Sequence, residues 1–158
     1  MTTTPEKKNY PLGLPVLGII GLGALAAPRV VLHDLHIIEE GSFINSLFVF
    51  VPLIIWLAVV LGLRVTKPFI CLLAVGVVYG VFLAAGHLVF WEQAFPDGAP
   101  QLGGNHSEVD SALQGGVMRT AVTFSSLVTG TAVGAVTGLV AKGLRAVMVR
   151  MGRPEAAR

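Results

Sequence analysis

Residues 117–141 read VMRTAVTFSSLVTGTAVGAVTGLVA, an apolar run that is long enough to cross a bilayer as a helix. Gly130, Gly134 and Gly138 recur at every fourth position, so they share one face of such a helix, and Ser126 and Thr123 continue that face. A stripe of small residues lets a second helix approach until the two backbones touch. We therefore predict that this helix is the one on which the others pack.

A second run, 69–90, carries the matching pair Gly76 and Gly80. The two runs together predict a helix-packing set of five glycines, which are Gly76, Gly80, Gly130, Gly134 and Gly138. The pattern does not say whether the partner helix belongs to the same chain, to a second copy or to a larger membrane complex. Packing within the chain is the simpler interpretation, because several spans already offer each helix a neighbour.

The composition indicates a membrane protein. Of 158 residues, 54% are hydrophobic and 13% are charged, against roughly 25% charged residues in ordinary soluble domains. The basic residues lie beside the apolar runs and form no separate patch, so nucleic acid is not an expected partner, whereas the lipid bilayer is. A single cysteine, Cys71, rules out an intrachain disulfide and a cysteine metal cluster.

Hydropathy predicts an all-α integral membrane protein with four transmembrane helices. The first span reaches a sufficient length only if its helix continues through Pro28, with a kink. Ser42 is the predicted N-cap of the second span. The predicted organisation is a polar lead at 1–11, a transmembrane domain at 12–141 with spans at 12–32, 43–63, 69–90 and 117–141, an outer loop at 92–116 and a basic tail at 142–158.

A cleaved secretory signal is a competing interpretation of the N-terminal region. Lys7 and Lys8 precede an apolar core that ends in Ala24-Leu25-Ala26, an A-x-A pattern. Cleavage within 12–27 would leave three spans. Pro11 and Pro15 fit a signal poorly, so four spans are preferred.

Charge placement predicts the orientation of the chain. If the lead, the turn at 64–67 and the tail share one side, that side holds nine of the eleven basic residues and the other side holds seven of the nine acidic ones. The positive-inside rule then assigns both termini to the cytoplasm and gives an antiparallel bundle in the cell membrane, either plasma or inner. The nine are Lys7, Lys8, Arg64, Lys67, Lys142, Arg145, Arg150, Arg153 and Arg158.

Polar side chains recur near the outer ends of the predicted spans. His33, Asn45, His87 and Arg119 each lie at a similar depth, and His87 shares a helix face with Gly76 and Gly80. Ionisable groups within membranes are costly and usually paired or functional. We therefore predict an outward-facing polar pocket. The alternative is that Arg119 extends to the lipid headgroups and His87 bonds a neighbouring carbonyl.

A metal site is a weaker prediction. His33, His36 and Glu40 are spaced for one face of a helix over 30–40, and His106 lies on the same predicted side. Imidazole and carboxylate groups bind zinc-like divalent ions, and histidine can also respond to external pH. The alternative is that acids accumulate outside simply because basic residues are kept inside.

The sequence predicts architecture better than activity. It contains no G-x-S-x-G motif, phosphate loop or CxxC pair. The default prediction is a non-enzymatic accessory or oligomeric packing subunit that works without a cofactor. The alternatives are a small transporter or channel with an outward-facing pocket, and a histidine-based metal-binding or pH-sensing protein.

Overall fold

The computed structural model describes residues 10–96, 98 and 110–151, and helices make up most of this part of the chain. No strand occurs among these residues. Four stretches are long and apolar enough to span a membrane, which confirms the predicted all-helical fold with four candidate spans. The helices are α1 (Val16–Leu25), α2 (Pro28–Asp34), α3 (Phe43–Gly62), α4 (Pro68–Val89), α5 (Trp91–Ala94) and α6 (Ser111–Met151).

The first span is built from two helices, α1 and α2. Pro28 has no amide hydrogen, and its ring would clash with the carbonyl of the preceding turn, so the helix is interrupted at 26–27. Pro28 then occupies the first turn of α2, where proline is well tolerated. The two helices together make a candidate span from Val16 to Asp34.

The second span, α3, begins as the sequence predicts. The Ser42 hydroxyl accepts a hydrogen bond from the Asn45 amide at 3.1 Å, which confirms Ser42 as the N-cap. Deeper in the helix, the indole of Trp56 is fully buried and donates to the Leu22 carbonyl at 2.7 Å. This bond links α3 to α1.

The helices α4 and α6 pack backbone against backbone through the predicted glycines. A Cβ at Gly76 would lie 2.5 Å from the Cα of Gly134, and Gly130 lies directly against Gly80. Further along, Gly138 packs against Phe69. The structure thus brings all five predicted glycines into one interface within the chain. No side chain intervenes at these glycines, and α4 and α6 share the most extensive contact of any helix pair in the described part of the chain.

The helix α6 extends past the predicted span at both ends. Its 41 residues give a length of about 60 Å, roughly twice the hydrocarbon thickness of a bilayer. The last turns contain Lys142, Arg145 and Arg150 in continuous helix. Arg145 donates to the Val65 carbonyl in the turn between α3 and α4, so the extension is attached to the bundle.

Candidate functional site

The buried face of α2 carries one acidic residue. Val30 and Asp34 are one helical turn apart, and both are almost fully buried, at 2% and 3% exposure. Val30 lies against Gly86 of α4, where a Cβ would be 2.7 Å from a Val30 methyl group. This close approach brings the next turn of α2, and with it Asp34, against His87. Asp34 is thus buried because the helix face that packs on α4 includes it.

Asp34 is held by two histidines. Its Oδ2 lies 2.8 Å from His87 Nδ1, and its Oδ1 lies 3.4 Å from His33 Nδ1. The second contact is long for a hydrogen bond, so His87 is the principal partner. His33 also lies 3.2 Å from Glu40 through its Nε2, and that carboxylate is largely exposed. The result is a buried carboxylate paired with one histidine and flanked by a second.

The pair fixes the tautomer of His87. An ionised carboxylate can only accept hydrogen bonds, so the hydrogen of a neutral imidazole must lie on Nδ1. The Nε2 of His87 then carries a free lone pair. Among the described residues, none forms a hydrogen bond with this atom. With Asp34 ionised and His87 neutral, Nε2 is thus available as an acceptor to a molecule in the cavity beside it.

A cavity of about 420 Å³ opens over this pair, at the end of the bundle that carries α5. Small ligand sites in proteins fall in the same size range and combine apolar walls with a few polar groups. Here the polar groups come from α2, α4 and α6, and the apolar ones from α5 and α6. The lining side chains that a bound molecule would contact through polar or aromatic groups include His33, Asp34, His87, Ser125, Ser126 and Phe95.

Asn45, which was also predicted to line the pocket, belongs to a separate polar contact. Its Oδ1 accepts from Arg29 Nε at 2.9 Å, and Arg29 also interacts with Tyr79. These residues tie α2 to α3 and α4. Neither Asn45 nor Arg29 lines the cavity.

Arg119, the fourth predicted pocket residue, also lies outside the cavity. Its guanidinium carbon is 5.3 Å from the centroid of the Trp91 ring, a cation–π contact that links α6 to α5. Trp91 in turn packs against Phe95, with 4.9 Å between ring centroids. Arg119 thus supports the wall of the cavity while His33 and His87 line it.

The residues of the predicted metal site do not share one face of a helix as the sequence predicted. The helix α2 ends at Asp34, and His36 follows in a left-handed conformation with φ of 55°. His36 lines the cavity, whereas Glu40 contacts His33 from outside. Within 10–96, 98 and 110–151, no group of three or more histidine, cysteine or acidic side chains could hold a metal ion. His106 lies outside the described residues, so the metal site stays a prediction.

Asp34, the residue at the centre of the site, is not among the pocket residues predicted from the sequence. A signal was present: Ala26, Val30 and Asp34 follow one another at four-residue spacing, and the first two are apolar. An acid that continues an apolar stripe must find a partner on the facing helix. His87, which was selected, is that partner.

No protein-family model, no curated protein and no solved structure matches this chain. Function has to be inferred from the chemistry of the cavity.

Proposed function

We propose that this is a four-span membrane protein that binds a small protonated amine in the cavity over Asp34 and His87. The observation that carries the proposal is the 2.8 Å contact between a buried carboxylate and a histidine whose other nitrogen has no hydrogen-bond partner within 10–96, 98 and 110–151. The carboxylate attracts positive charge, and Nε2 of His87 accepts an N–H. A primary ammonium ion supplies both.

The orientation of the bundle is part of the proposal. With both termini in the cytoplasm and the helices antiparallel, the cavity faces outward from the plasma or inner membrane. Charge placement supports this orientation, because the described acids all lie at or near the end of the bundle that carries α5. They are found in α2, at 39–40, in α5 and just before α6. Lys67, Lys142 and Arg145 lie at the opposite end.

Binding, rather than open conduction, is the step that the geometry supports. Gly130 lies one turn of α6 beyond Ser126, which lines the cavity. Its backbone contact with Gly80 therefore closes the space between α4 and α6 next to the cavity. Passage between these two helices would require them to separate. A transporter that alternates between conformations is compatible with such a contact, whereas a permanently open channel along this interface is not.

The default interpretation from sequence, an accessory or oligomeric packing subunit, rested on small-residue faces and on the absence of catalytic motifs. The contact between α4 and α6 weakens the first ground, because these two helices supply one another with a partner. Association with a second copy or with a larger membrane complex remains a prediction. No contact among the described residues favours this packing function over ligand binding in the cavity.

The proposal is tested with the full-length chain in lipid nanodiscs, by following the unfolding midpoint as small ions are added. Ethylammonium carries both a charge and N–H donors, tetramethylammonium carries the charge alone, and acetate has the opposite charge. We expect a saturable increase in Tm with ethylammonium, a smaller one with tetramethylammonium and none with acetate.

Two variants and one matched control sharpen the test. D34N removes the charge of Asp34 at constant shape, and V122F fills the cavity without touching the Asp34–His87 pair; both should abolish the ethylammonium response. E92Q makes the same change of acid to amide at an exposed position of α5 and should respond as the wild type does. Equal responses in wild type, D34N and V122F would contradict the proposal, as would the absence of a saturable shift in the wild type.

A further inference from the structure

A second cavity lies at the opposite end of the bundle, where the turn between α3 and α4 meets the last turns of α6. Its volume is about 610 Å³. We call it the basic groove and define it by Lys67, Lys142, Arg145, Arg150, Ile70 and Val149. Four of the ten residues that line the cavity are cationic, and they come from two separate parts of the chain.

The cations of the groove have no acidic partners among the described residues. Lys67, Lys142 and Arg150 form no ion pair there, since each described ion pair involves a histidine at the α5 end. Arg145 donates one hydrogen bond to the Val65 carbonyl, and this bond holds its guanidinium beside the groove. Clustered like charges repel one another, and an anion bound among them would offset that repulsion.

The start of α4 adds to the positive potential. Lys67 precedes the first turn, Pro68 has no amide hydrogen, and no side chain caps the remaining free N–H groups. The positive end of the α4 dipole therefore points toward the same space as the four cations.

Ile70 and Val149 give the groove an apolar wall, and both are more than 40% exposed. A free phosphate ion would leave these side chains uncovered, whereas a phospholipid would cover them with an acyl chain while its headgroup meets the cations. We propose that the basic groove binds an anionic phospholipid such as phosphatidylglycerol. This inference does not depend on what occupies the cavity over Asp34.

The test uses native mass spectrometry of the full-length chain in a neutral detergent, with phosphatidylglycerol or phosphatidylcholine of the same acyl chains. We expect phosphatidylglycerol to be retained in preference to phosphatidylcholine. Removing one cation should lower its affinity by about fivefold, given the usual contribution of a basic residue near an anionic lipid. The variants are K142Q and R150Q.

The matched control is R64Q, which removes the same charge at the same end of the bundle. Arg64 lines an adjoining space that shares Arg145 and Val149 with the basic groove, but Arg64 itself does not line the groove. It should retain phosphatidylglycerol as the wild type does, and far-UV circular dichroism checks that each variant stays helical. Equal losses in R64Q and R150Q, or equal retention of the two lipids, would overturn the proposal.

A competition arm separates the lipid from a free phosphate compound. Glycerol 3-phosphate carries the headgroup chemistry without an acyl chain and should displace phosphatidylglycerol only weakly. If it displaced the lipid at equal concentration, the groove would be a site for a soluble phosphate, and the lipid proposal would be wrong.

Discussion

The helix α4 makes two close contacts that differ in what they enclose. Toward its middle, Gly76 and Gly80 meet Gly130 and Gly134 of α6, backbone to backbone, and nothing lies between the helices. Near its end, Gly86 meets Val30 of α2, and the adjoining turn places His87 against a buried carboxylate under a cavity. Glycine permits close approach in both places, but it leaves room for chemistry only in the second. The glycine interface and the candidate site thus occupy separate parts of one helix.

The glycine interface should be the more sensitive of the two regions to added volume. G134V inserts a branched side chain where a Cβ would already lie 2.5 Å from the Leu72 carbonyl oxygen. We expect a loss of about 3 kcal/mol in the free energy of unfolding, because α4 and α6 must move apart. The measurement is reversible unfolding in mixed micelles, followed by circular dichroism.

Gly143 provides the control for this prediction. It lies in the same helix, and nothing is within 4 Å of the Cβ that it would carry. G143V should change the free energy of unfolding by less than about 1 kcal/mol, since it adds a side chain without a clash. If the two variants were equally stable, the close approach of α4 and α6 would not be what holds the bundle together.

The loss of stability at the Asp34–His87 contact should depend on which of the two partners is replaced. H87L leaves the Asp34 carboxylate buried with only the long contact to His33, and we expect a loss of about 2 kcal/mol. This is below the full value for a buried pair because His87 is 32% exposed. D34N keeps an acceptor for His87 and should cost less, about 1 kcal/mol. Combining D34N with H87L should cost less than H87L alone, because no charge is left unpaired.

H33L makes the same substitution at the flanking histidine and should cost less than H87L, because the contact of His33 with Asp34 is 3.4 Å long. Unfolding measurements on the four variants form a double-mutant cycle with one control. Additive losses in D34N and H87L, or a loss in H33L as large as that in H87L, would show that Asp34 and His87 do not act as a pair.

Much of the fold follows from local patterns in the sequence. The spacing of Gly130, Gly134 and Gly138 identifies a packing face without knowledge of its partner, because a helix repeats nearly every four residues. The N-cap at Ser42 is equally local. The extent of α6 was less evident, since Lys142, Arg145 and Arg150 resemble a solvated tail. These residues are nevertheless good helix formers, and the helix continues through them.

The site depends on contacts that no local pattern contains. Asp34 lies near the end of a short helix, next to residues that resemble a membrane interface, and its burial follows from the Val30–Gly86 contact with a distant part of the chain. Asn45 and Arg119 were also predicted to line the pocket. Their partners, Arg29 and Trp91, direct them elsewhere. The direction in which each side chain points depends on tertiary packing, which the spacing of residues in one helix does not contain.

The functional account requires the cavity and the basic groove to lie on opposite sides of the membrane, with the cavity outside. Labelling of single cysteines with a membrane-impermeant maleimide in intact cells tests this most directly. Cys71 is fully buried, so the wild-type chain supplies an unreactive background, and Glu92 and Thr66 are exposed at the two ends of the bundle. We predict that E92C is labelled in intact cells and that T66C is labelled only after the cells are permeabilised. Labelling of T66C, but not of E92C, in intact cells would contradict the account.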